Sequence, residues 1–62
     1  MKVRFIYFNK INQSVESVYI TLNTFEANTE SYKKAEEEIF KHLYKDRVYS
    51  NEISILNYRI MQ

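Results

Sequence analysis

Apolar and polar residues alternate along this chain at period two in three stretches, and a helical rhythm separates the second from the third. Val3-Arg4-Phe5-Ile6-Tyr7-Phe8, Val18-Tyr19-Ile20-Thr21-Leu22 and Ile53-Ser54-Ile55-Leu56-Asn57-Tyr58-Arg59-Ile60 read as strands. The pattern predicts strands over about residues 2–9, 15–24 and 52–61, with a helix over about 30–45. In the helical stretch Tyr32, Ala35, Ile39 and Leu43 form a stripe suited to lying across a sheet, and Phe40 and Tyr44 widen it.

The order strand-strand-helix-strand predicts a single α+β domain, ββαβ, spanning residues 1–62, its helix packed on a three-stranded antiparallel or mixed sheet. Hairpin pairing of the first two strands and a crossover to the third give the spatial order 2-1-3. That order puts the most apolar strand in the centre, where both faces can be covered. The core expected from these faces is Val3, Phe5, Tyr7, Val18, Ile20, Leu22, Ala35, Ile39, Leu43 and one face of the third strand.

Local signals agree with these elements. Asn28-Thr29 offers a helix cap, and Glu30 suits the first turn. Glu30-Lys34 and Glu37-Lys41 are i,i+4 pairs in the favourable orientation. The chain has no glycine, so asparagine is expected wherever the backbone needs positive φ.

Composition narrows the chemistry. A short chain buries only about 60% of its unfolded surface, and small domains add a disulfide, a metal or a partner. There is no cysteine and one histidine, His42, which excludes disulfides and the usual metal clusters. Glu38 and His42 stand one helical turn apart without an evident third ligand, so no metal site and no cofactor is expected. Glu36, Glu37 and Glu38 are consecutive, fan around the helix and read as a solvated face. With no glycine to shape a phosphate loop or a nucleophile elbow, the expectation is a protein without enzymatic activity.

No apolar run is long enough to span a membrane, and the apolar run at the N-terminus is too short for a signal peptide. A cytoplasmic location is expected. Six Asn, seven Ile, six Lys and six Tyr match AT-rich codons, hence a low-GC genome or a mobile element. In composition and element order the chain is similar in type to small accessory proteins of bacteriophages and plasmids, although no motif carries the likeness.

The function class then follows from surface left over. Strand three is expected to be apolar on both faces, with Ile53 and Ile55 on one and Leu56, Tyr58 and Ile60 on the other. A bulge near Ile55-Leu56 is the alternative, placing these residues in one core. If both faces are apolar, the strand is an interface, for contiguous exposed apolar surface marks contact sites. Tyr58 and Ile55 are the expected anchors, with Ile53, Phe8 and Tyr49 secondary. No charge or proline interrupts Ile53 to Tyr58, so this edge is expected to recruit a partner: a second copy as a homodimer, or another protein that the module regulates or inhibits.

The rival reading is single-stranded nucleic acid on an open sheet face, through Lys2, Arg4 and Arg59. Nine basic residues against eight acidic ones count against it, since phosphate binders usually carry a clear basic excess.

Overall fold

The computed structural model describes residues 1–61. Its elements are β1 (Lys2–Asn9), β2 (Ser14–Thr21), α1 (Thr29–Leu43) and β3 (Ile53–Met61). The sheet order is β2-β1-β3, with both pairings antiparallel. This is the ββαβ α+β architecture that the alternation predicts.

β1 is central because it is the strand with most to hide. Val3, Phe5, Tyr7 and Asn9 face α1 and are buried, and Ala35, Ile39 and Phe40 meet them from the helix. Their β2 neighbours Val18 and Ile20 are only half-buried, as is Leu22, since β2 lies at the sheet margin beyond the helix's full cover.

Two residues outside the expected core belong to it. Phe40 is fully buried on α1, and Phe25 is 7% exposed in the β2–α1 connection. Phe25 sits between Phe5 at 5.3 Å, Tyr58 at 4.9 Å and Tyr32 at 5.7 Å, all edge-to-face. Such pairs add to simple burial. Drawing Phe25 inward ends β2 at Thr21, earlier than the alternation suggests. Leu43, expected inside, is 38% exposed because the helix stripe turns toward Phe40, whose ring packs on Tyr44 at 5.1 Å.

The helix begins where its cap dictates. Asn28 is extended, and its side chain accepts from Ser31 N–H at 2.8 Å. At the other end Tyr44 N–H still makes the helical bond to the Phe40 carbonyl at 2.7 Å, but the Tyr44 backbone leaves helical geometry, so α1 stops at Leu43. Both i,i+4 ion pairs form, Glu30–Lys34 at 3.7 Å and Glu37–Lys41 at 3.4 Å.

Positive φ falls on Asn51, as asparagine's tolerance suggests, and also on Gln13. The hairpin turn offsets the cost of a left-handed Gln13 by side-chain bonds: Asn9 Oδ1 accepts from Ile11 N–H at 2.9 Å and Asn12 N–H at 3.4 Å.

In β3 the structure takes the bulged reading over the one with two apolar faces. The register of β3 against β1 shifts between Ile6↔Asn57 and Tyr7↔Ile55, so Leu56 is an extra residue. The bulge moves Tyr58 and Ile60 onto the face of Ile53 and Ile55, opposite Phe5 and Val3. β3 is therefore apolar mainly on its helix-facing side.

Candidate functional site

Polar chemistry gathers in two places. The first is the hairpin end of the sheet, where the Glu16 carboxylate accepts from Ser14 Oγ (2.8 Å), Asn12 Nδ2 (3.0 Å), Tyr7 Oη (3.0 Å) and Asn9 Nδ2 (3.2 Å). The Asn12 bond first, then Ser14, hold this carboxyl down at about 2. Burial first, then the Glu16 carboxylate, pushes the Tyr7 hydroxyl above the ordinary tyrosine range. Among the described residues no buried side-chain polar atom lacks a partner. A carboxylate so saturated has no free lone pair for substrate, and this cluster is a structural joint.

The second place is the sheet face away from α1. Strand alternation and the register put Lys2, Arg4, Ile6 and Phe8 of β1 there, beside Val15, Ser17, Tyr19 and Thr21 of β2 and Ser54, Asn57, Arg59 and Met61 of β3. Three of these are cations and none is a carboxylate. Arg4 stands directly between Tyr19 and Arg59, making one row across all three strands. Lys2 is next along, its Nζ 5.5 Å from the Tyr19 ring centroid. Toward the hairpin the face turns apolar, with Ile6 and Phe8 half-buried and Val15 62% exposed.

The carboxylates thus lie off the open face, although cations occur on both sides of the molecule. Glu16 points to the helix side, and Glu26, Glu30, Glu37 and Glu38 line an open groove beside α1. The ion pairs among the described residues lie on α1 and involve none of Lys2, Arg4 and Arg59. Overall neutrality conceals a face that is locally basic.

The residues expected to form an interface divide. Phe8 lies on the open face. Tyr58 and Ile55 are half-buried against the core under α1, and Ile53 is 2% exposed. Tyr49 packs on Phe40 at 5.2 Å, and its hydroxyl donates to the Ile53 carbonyl at 3.0 Å. Burial first, then Glu36, raises the Tyr49 hydroxyl. Lys2, Arg4 and Arg59, expected together, are together.

The β3 edge is not bare. Ile55 N–H donates to Glu36 Oε2 at 3.0 Å, and Tyr58 N–H to Asn57 Oδ1 at 2.8 Å. Glu36, expected in the solvated face, is a half-buried cap on that edge. Tyr19 is the face residue that sequence reasoning did not join to the cations. Its signal was parity, for it shares a face with Arg4 once the hairpin register is known.

Among the described residues no group of three His, Cys, Asp or Glu side chains converges to hold a metal. No helix of the described residues is long and apolar enough to cross a membrane. No family model, curated protein or solved structure matches this chain.

Proposed function

We propose that the protein is a non-catalytic binding module that holds a short single strand of nucleic acid against the open face of its sheet. The observation that carries this reading is the row Tyr19–Arg4–Arg59 with Lys2 beside it, on a face without a carboxylate. Phosphates need cations that are not already neutralised, and unstacked bases need an exposed ring. Tyr19, 54% exposed, supplies the ring, and its hydroxyl end leaves it amphipathic enough to stand in water. A three-stranded face offers room for a segment near the lower end of the ~4–16 nucleotides that single-strand modules cover. The groove that the molecule does have, beside α1, is lined by carboxylates, so the open sheet face is the surface for a splayed strand. In that role the chain is an accessory factor, attached to a process that other proteins catalyse.

Docking on another protein is the second reading, and the apolar end at Ile6, Phe8 and Val15 favours it. Such a partner would have to bring carboxylates for Arg4 and Arg59. Fluorescence anisotropy with labelled single-stranded DNA and RNA oligonucleotides, titrated across salt, separates the two. Affinity that falls with salt and drops in Arg4→Ala and Arg59→Ala supports the nucleic-acid reading. No binding at low salt, together with nuclease-resistant capture of an acidic protein through the same arginines, would replace it with the second.

A further inference from the structure

The two edges of this sheet are not equivalent, and the difference points to a partner for one of them. On β3 the Ile55 N–H is occupied by Glu36 at 3.0 Å, and the bulge at Leu56 breaks the regular ladder. β2 has neither device. Its register to β1 runs without a shift from Lys2↔Thr21 to Asn9↔Ser14. Between Ser14 and Thr21 there is no lysine, arginine or proline, the residues that normally blunt an edge. Its one charge, Glu16, is turned to the helix side, where four donors bind it.

We propose that β2 pairs antiparallel with β2 of a second copy, the two-fold axis passing at Ser17. The sequence of the strand is self-complementary about that point. Val15 and Tyr19 flank Ser17 by two residues on either side, both on the open face and both more than half exposed. In this register each Val15 lies opposite the partner's Tyr19, giving two identical β-branched–aromatic cross-strand contacts, while the two Ser17 side chains face one another. Glu16 stands opposite the partner's Val18, so no like charges meet across the junction. The alternative of stacking two open faces sets Lys2, Arg4 and Arg59 against their own copies with no carboxylate to offset them.

A two-fold axis normal to the sheet keeps both open faces on the same side. The product is one continuous six-stranded sheet with two basic rows in a single surface. The case for this pairing rests on the edge geometry and not on what the open face binds, although Tyr19 belongs to both surfaces. Because one strand pair buries little area, the dimer is a weak one, with Kd in the micromolar range or above.

The test is sedimentation equilibrium of the whole chain without nucleic acid, over a concentration range of about a hundredfold. A monomer–dimer equilibrium is expected. Ser17→Lys and Ser17→Glu, at an exposed position that leaves the monomer's melting temperature and circular dichroism intact, should each raise Kd about tenfold or more. An equimolar mixture of the two should dimerise again, since opposite charges then face each other at the axis. Amide exchange of the unmodified chain should show protection on β2 rising with concentration, which reads the same contact without any variant. A wild-type chain that stays monomeric throughout overturns the proposal. So does a folded Ser17→Lys variant that dimerises as the wild type does, or a mixture of the two charge variants that stays monomeric.

Discussion

Asn9 donates from its side-chain amide to the Tyr44 hydroxyl at 3.0 Å, joining the end of the first strand to the end of the helix across 35 residues of chain. The same nitrogen reaches Glu16 at 3.2 Å, and Asn9 Oδ1 holds the hairpin turn. Asn9 is fully buried, so every one of these bonds replaces water it can no longer reach. Asn9→Ala should therefore cost about 2–3 kcal/mol, because it opens a void and leaves Tyr44 and the turn amides without their partner. Asn12→Ala, at an exposed position donating to the same carboxylate, should cost under about 1 kcal/mol. Denaturant melts of the two variants check the ratio.

Glu16 makes folding stability depend on acid pH. Its folded carboxyl titrates at about 2 against 4.5 for the unconstrained group, so the unfolded chain takes up the proton first. The contribution is fully present above pH 4.5 and is lost as pH falls through about 2. The carboxyl is partly open to solvent, which limits the effect to the order of 1 kcal/mol. Glu16→Gln should lower stability near neutrality and flatten its dependence on pH in this window. Tyr7 has the opposite sign: its hydroxyl is raised, so its contribution holds below pH 10 and is lost above. Thermal melts of both chains between acid and neutral pH decide the matter. Parallel curves would mean that the Glu16 bonds are absent in solution.

Tyr58 closes a ring cluster with Phe25 at 4.9 Å and Tyr32 at 6.1 Å. Tyr58→Ala should destabilise the fold by about 2–4 kcal/mol, and Tyr58→Phe should cost far less, since packing rather than the hydroxyl supplies the contact. Phe25→Ala, at the centre of the same cluster, should be the more damaging. Urea melts with tyrosine fluorescence measure all three. A Tyr58→Ala chain as stable as the wild type would place the ring outside this cluster.

Tyr58 also marks where the sequence stops being legible. Element order, sheet order and the buried face of β1 all follow from alternation, because one residue's displacement would turn an entire strand inside out. The same rule leaves a bulge near Ile55-Leu56 as only one of two readings of β3, because alternation alone cannot choose between a bulge and two apolar faces. One inserted residue, Leu56, reverses the parity of everything after it in β3, moving Tyr58 and Ile60 to the helix-facing side, where Tyr58 packs on the core. The cationic row was half legible: Lys2 and Arg4 share parity within one strand, but placing Arg59 beside Arg4 requires the bulge. Phe25 was missed for another reason. It lies in a connection, where no periodicity reports burial, and its tertiary contacts alone bring it inward.

The three open-face cations set the salt response expected of single-strand binding. Releasing counterions from about three phosphates gives a slope of log K against log salt near −2, and each arginine removed should make it shallower by about 0.7. Arg4→Ala and Arg59→Ala should therefore weaken binding similarly and lessen its salt sensitivity, without moving the melting temperature much. Neither arginine has an ion-pair partner among the described residues whose loss would unfold the chain. Anisotropy titrations at several salt concentrations test this directly.

Tyr19 should behave differently from the arginines, and the contrast is the sharper test of how the face works. Its ring is exposed, touched by Lys2 at 5.5 Å, and absent from the core clusters. If a base stacks on it, Tyr19→Ala removes about 1–3 kcal/mol of affinity, roughly 5- to 150-fold, and leaves the salt slope unchanged. Tyr19→Phe should retain most of that affinity, because stacking needs the ring and not the hydroxyl. The Tyr19 ring also faces Val15 of the partner in the proposed dimer, so affinities must be read below the dimer's Kd, where only the monomer binds. A Tyr19→Ala chain that binds as tightly as the wild type under those conditions would leave the cations acting alone, as a surface that attracts any polyanion.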